Sequence, residues 1–169
     1  TYIFSEQSYD NFEFRCMIRL TGKPETGLVN SGMQFRSERH GRGAEGYQAD
    51  VGLPNWWGSI YDEHRRGLIV QSDQTKLKPV LKPFDWNEYV IRAVGPRLKL
   101  FINGIKTADY VEQAPSVPWY GRFALQLHAG GLFRIASKDL TVTPVASKGT
   151  SGQQPSLDYA DALFDAFDN

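Results

Sequence analysis

One cysteine, Cys16, stands in the whole 169-residue chain. A single thiol makes no intrachain disulfide, and it cannot build a cysteine-based zinc site or a redox pair. Basic runs of five or more are also missing, and nineteen Lys and Arg are cancelled by nineteen Asp and Glu. That leaves no electrostatic footprint for nucleic acid or an anionic membrane surface, so neither is expected as a partner. No apolar run approaches the roughly eighteen residues of a membrane span, and no secretory h-region is found. HExxH and comparable spacings are lacking, so three His and several carboxylates allow a divalent metal without naming its ligands. A chain of this length is expected to form one domain with a sizeable core, plus an appendage. Because it opens on Thr1 rather than Met, a leader or anchor is expected to have been removed.

What is present, up to about Val145, is period-two alternation broken by turn residues. "NFEFRCMIRL" puts Phe12, Phe14, Cys16, Ile18 and Leu20 on one face. "SGMQFRS", "YQADVG", "YVIRAV", "RLKLFING", "GRFALQLHAG" and "FRIASKDLTVTPV" read the same way, and Asn-Gly in "FINGIKTADY" signals a type I′ hairpin. Seven or more short strands without intervening helical patterns predict an all-β domain over 1–145, with two antiparallel sheets packed as a sandwich or jelly roll.

From residue 146 the character changes. "SKGTSGQQP" is a polar linker, and in "SLDYADALFDAFDN" Leu157, Ala160, Leu163, Phe164 and Phe167 recur at helical spacing, with Ser156 as N-cap and Asp158 in the first turn. Residues 146–169 thus predict a linker and a short acidic amphipathic helix. So short a helix must dock, either on its own sandwich or, through 156–169, on a partner protein. Its acidity argues against anionic lipid.

The outward faces of three strands carry unusual chemistry. If Met33 and Phe35 point inward, Gln34 and Arg36 point outward; by the same parity Gln48 and Asp50, and Gln126 and His128, point outward. Amides, a guanidinium, a carboxylate and an imidazole are groups that bind sugar hydroxyls. With an aromatic platform from Trp56, Trp57 and Tyr61, Trp57 being placed nearer the site, they predict an oligosaccharide or glycoside site. Pro54 and the flanking glycines make "LPNWWG" a rim loop, and "SIYDEHRRG" then adds Asp62, Glu63, His64, Arg65 and Arg66 for acid–base work or metal binding. The plainer alternatives are a solvated face of cross-strand pairs and surface salt bridges.

Four separated motifs, "NSGMQFRS", "GYQADVG…WWGSIYDEHRRG", "FDWNEYVIRAVGPRLKLFING" and "LQLHAGGLFRIASKDLTV", occur in an order that resembles the 3-keto-disaccharide hydrolases, also called 3-keto-glucoside lyase/hydratases. The resemblance runs from about Thr1 to Val145. It implies a concanavalin- or laminin-G-like jelly roll, export in bacteria to the periplasm or beyond, and breakdown of sugars oxidised at C3. A C3 ketone acidifies the C2 proton, so a base removes it, the C1 substituent is eliminated, and hydration follows. By motif position the resemblance implies Asp50 or Glu63 as base, Gln34 and Arg36 as oxygen-binding groups, and His128 as acid or metal ligand. Gln48, Trp57, Tyr61, Arg65 and Gln126 complete the expected substrate-binding set. Two departures stand out. Relatives carry further strands upstream, so the sandwich is expected to be trimmed or completed by other residues; and where relatives often read Tyr-Glu-x-Gln, this chain reads Tyr47-Gln48-Ala49-Asp50, with Asp50 as the strand's one acid. The alternative function is a noncatalytic glycan- or protein-binding module, an accessory subunit of a larger, membrane-associated assembly, docked through its tail.

Overall fold

Alternation becomes eleven strands in the computed structural model, which describes residues 1–146. They are β1 (Tyr2–Tyr9), β2 (Phe12–Lys23), β3 (Asn30–His40), β4 (Gly43–Gly52), β5 (Ile60–Glu63), β6 (Gly67–Val70), β7 (Asn87–Val94), β8 (Arg97–Ile102), β9 (Ile105–Val111), β10 (Gly121–Leu127) and β11 (Leu132–Pro144), with two short helical turns, a 3-10 turn at Pro24–Thr26 and α1 (Gln74–Leu77). Six strands form one antiparallel sheet in the order β1-β10-β3-β4-β5-β6, and five form the other in the order β11-β2-β7-β8-β9. The fold is therefore an all-β jelly-roll sandwich. No described helix is long and apolar enough to cross a membrane. The linker and acidic helix expected over 146–169 lie, from residue 147 on, outside the described residues.

The core lies where the alternation puts it. Phe12, Phe14, Cys16, Ile18 and Leu20 of β2 face Met33 and Phe35 of β3, Tyr47, Ala49 and Val51 of β4, and Phe123 of β10, all buried. Rings interlock at its centre: Phe12 meets Phe123 edge-on at 4.7 Å, and Phe35 stacks on Tyr47 at 5.5 Å. Asn103-Gly104 forms the expected β8–β9 turn, both residues at positive φ. Leu127, read as inward by parity, ends its strand partly exposed, since the sheet no longer covers it there.

Two stretches outside the strands read from alternation also pair. Tyr2–Tyr9 pairs with β10 as an edge strand, and "SIYDEHRRG", which follows the rim loop, begins with the paired strand β5. Its register sets Tyr61 beside Gln48 and Asp62 beside Tyr47, so acids within one short run go to opposite sides of the sheet.

Candidate functional site

The outer face of the six-stranded sheet is laid out by register. Tyr2 pairs with Gln126, Gln126 with Gly32 and Gly32 with Asp50, giving one row across β1, β10, β3 and β4. The next row runs through Ala124, Gln34, Gln48 and Tyr61. Paired residues share a face, so these side chains converge although their strands are distant in sequence. They open into a cleft of about 210 Å³ lined by Leu28, Asn30, Gln48, Asp50, Trp56, Tyr61, Glu63, Gln126 and His128.

Its floor is a chain of amides. The Ser37 hydroxyl donates to Gln34 Oε1 at 2.8 Å, Gln34 Nε2 to Gln48 Oε1 at 2.7 Å, and Gln48 Nε2 to Asp50 Oδ1 at 2.7 Å and to Gln126 Oε1 at 3.2 Å. Gln126 Nε2 then donates to the Tyr2 hydroxyl at 2.8 Å. Every amide orientation follows from the next, so the chain delivers a donor to one oxygen of Asp50. The other, Oδ2, is buried without a hydrogen-bond partner among the described residues, as is Oδ1 of Asn30. Two unsatisfied acceptors on one cleft wall suit a ligand rich in hydroxyl donors.

Asp50 is only 2 % exposed. Burial pushes its carboxyl up to about 7; the Gln48 amide pulls it partly back, and the charge of Glu63 adds a smaller upward push. A carboxylate with a free oxygen that titrates near neutrality is suited to taking a proton from a bound molecule. His128, in the exposed turn after β10, donates from Nδ1 to the Ala129 carbonyl at 2.5 Å, which leaves Nε2 free.

Gly32 is required here. A Cβ on it would lie 2.5 Å from Cγ and 2.6 Å from Cδ of Gln48, whose side chain lies across β3. Gly32→Ala is therefore expected to push Gln48 off Asp50 and to cost about 1–3 kcal/mol in thermal or urea unfolding. The same variant is expected to weaken any ligand of the cleft.

Several expected positions are corrected. Arg36 does not face the cleft: both neighbouring pairings shift register at a bulge that includes it, and its φ of 48° reverses the parity. Its guanidinium instead runs inside the sandwich, donating to the Asp10 carbonyl at 3.0 and 2.6 Å and to the Gly95 carbonyl at 2.7 Å. Gly46 makes the bulge possible, because any Cβ there would strike Ser37. Trp57 packs in the core and Trp56 lines the cleft, because Gly58, at φ 77°, turns the chain back to donate to the Asp50 carbonyl. Arg65 pairs with buried Asp62 and lies over the Tyr47 ring at 5.2 Å, away from the cleft. Gln34 is fully buried beneath Gln48 and reaches the cleft only through it.

Gln48, Asp50, Tyr61, Glu63, Gln126 and His128 do line one cleft, joined by Trp56 of the expected aromatic platform in place of Trp57, while Leu28, Asn30 and the Tyr2 partner of Gln126 were missed. Asn30 was findable, since the Gly32–Gln34 parity extends to it. Leu28 carries no such signal: it precedes β3 and reaches the cleft through loop packing. Among the described residues no group of three or more His, Cys, Asp or Glu could hold a metal ion.

Residues 1–143 match the 3-keto-alpha-glucoside-1,2-lyase-like domain family, and the chain belongs to it. No curated protein matches. Among solved structures, the chain is similar to the carbohydrate-binding module CBM66 from Bacillus subtilis, at 16% identity over 83% of this chain and 80% of that one, with a TM-score of 0.61. It is equally similar in TM-score, 0.61, to a protein described as a candidate glycosyl hydrolase from Parabacteroides distasonis, at 19% identity over 85% and 83% of the two chains. A chicken liver agglutinin, CG-16, follows at TM-score 0.51 and 7% identity, covering 85% and 100%. At these identities the likeness shows the jelly-roll fold.

Proposed function

We propose that this carbohydrate-related jelly-roll domain cleaves 3-keto-glucosides, with Asp50 as the base. One observation carries the reading: a buried carboxyl titrating at about 7, with one oxygen held by Gln48 and the other unpartnered at the wall of a polar cleft. In the proposed reaction Asp50 Oδ2 takes the C2 proton. The C–H electron pair forms an enediolate with the C3 oxygen, then returns to make the C1–C2 double bond as the C1–O bond breaks. The departing oxygen takes a proton from Nε2 of a protonated His128, and water adding back across C1–C2 yields free 3-keto-glucose. With Arg36 and Gln34 withdrawn from the cleft, the Tyr61 hydroxyl and the Asn30 amide are the groups placed to donate to the enediolate oxygen. Glu63 lies at the cleft wall, where its charge favours the protonated Asp50. Trp56 and Tyr61 offer ring faces to the apolar side of the sugar.

The test is release of the aglycone from a methyl or phenyl 3-keto-α-glucoside, followed across pH. Because the working base must be ionised, kcat/KM is expected to rise with pH through a limb at about 7. Absence of turnover, with and without added divalent cation, overturns the reading in favour of a noncatalytic glycan-binding module.

A further inference from the structure

Beside the cleft lies a second hollow of about 450 Å³, lined by Pro24, Gly27, Leu28, Val29, Leu53 and Pro54. Leu28 belongs to both, and the loop that brings Trp56 to the cleft brings Leu53 and Pro54 to the hollow. The two are fastened together by the main chain: Leu53 N donates to the Val29 carbonyl, and Gly131 N donates to the Leu28 carbonyl, both at 3.0 Å. The second of these ties Leu28 to the turn that carries His128. The chemistry changes sharply at this border. Amides, carboxylates and an imidazole line the cleft, whereas no side chain in the hollow has a hydrogen-bonding group.

On the proposed reading, on which this inference rests, the sugar ring occupies the polar cleft and its C1 substituent leaves next to His128. We infer that the hollow receives this substituent, and that the substrates are 3-keto-glucosides of an apolar alcohol or phenol rather than disaccharides. A second sugar there would give up water for a wall that offers its hydroxyls no side-chain partner, an uncompensated cost for each one buried. An aromatic or aliphatic aglycone meets proline, leucine and valine carbon instead and loses nothing on leaving water. The volume suits a ring or two, and Leu28, which lines both compartments, is the residue such a substituent would cross.

Leaving-group chemistry also favours a phenol over methanol, so the experiment must cancel it. Initial rates with phenyl and methyl 3-keto-α-glucoside are measured for the full chain and for two variants that alter the hollow but not the cleft. Pro24→Asp places a charge on an exposed wall at the first position of a helical turn, where an acid is tolerated, and Leu53→Ser removes apolar surface. Each variant is expected to lower kcat/KM for the phenyl glucoside by about tenfold or more relative to its effect on the methyl glucoside. Equal effects on both substrates in both variants overturn the inference, whether the hollow is filled by residues 147–169, by a second copy or by nothing, and leave the cleft chemistry standing. Turnover of neither substrate by the unaltered chain overturns the proposed function and this inference together.

Discussion

Asp50→Asn is expected to abolish turnover of a 3-keto-glucoside while making the protein more stable, and the two effects have one cause. Losing the base costs about 100- to 10,000-fold in kcat/KM. Asn is isosteric and its oxygen still accepts from Gln48 Nε2, so the amide chain across the floor survives. The stability gain comes from the burial that makes Asp50 reactive. In the unfolded chain an aspartate ionises near pH 4, but in the fold it holds its proton up to about 7. A carboxyl raised in this way lends its full stabilisation below the unfolded value and loses it as pH climbs through the folded one. Between pH 4 and 7, then, the wild type is increasingly penalised, and above 7 the penalty levels off at roughly 3–4 kcal/mol. Urea unfolding of both proteins from pH 4 to 8 checks this: the curves should coincide at pH 4, diverge through the middle of the range and run parallel above pH 7. A constant gap, or a gap that closes as pH rises, contradicts the buried, unpaired state of Asp50. A base that the fold pays to keep is what a functional site would hold, because an Asn would otherwise serve the structure better.

Arg36 gives the opposite outcome. Arg36→Met is expected to lower stability by about 2–4 kcal/mol, because it removes a buried side chain that makes three charge-assisted hydrogen bonds to the Asp10 and Gly95 carbonyls. Those carbonyls belong to Asp10, in the β1–β2 turn, and Gly95, in the β7–β8 turn, so one side chain of the six-stranded sheet holds turns at the same end of the sandwich. Arg36→Lys is not expected to rescue it, since one ammonium cannot reproduce the planar fork that serves two acceptors at once. At a temperature where the variant remains folded, KM for a 3-keto-glucoside should be unchanged. Thermal melts paired with KM separate this structural role from substrate binding; a normal melting temperature with a raised KM would return Arg36 to the site.

How far the residues could be read without coordinates varies along the chain for physical reasons. Asp50 and Gln48 were readable because β4 is a regular strand, where a side chain's face is settled by counting in twos from Tyr47. Arg36 was misread by the same count, because a bulge inserts a residue and flips the parity. The hint was Gly46 across from it, a residue with no side chain where its partner strand crowds in. The adjacent tryptophans could not be separated at all. Both sit in one loop, and which of them goes inward depends on how Gly58 turns the chain above Asp50. Glu63 and Asp62 likewise look alike in "IYDEHRRG", and only pairing with β4 sends one to the cleft and the other to Arg65 and Arg66.

Local alternation and turn chemistry by themselves determined an all-β sandwich, the residues of its core and the polar character of one outer face. These depend on near neighbours along the chain, and apolar surface must be buried whichever strands happen to meet. The tertiary structure alone decided that β10, β3, β4 and β5 lie side by side, and so that Gln126, Gln48, Asp50 and Tyr61 form one cleft. Only it decided that Asp50 is cut off from water, and that an apolar hollow adjoins the polar cleft through Leu28. Strand order is settled by connections tens of residues long, and a carboxyl's affinity for its proton by everything packed around it, neither of which is written in any short stretch of residues.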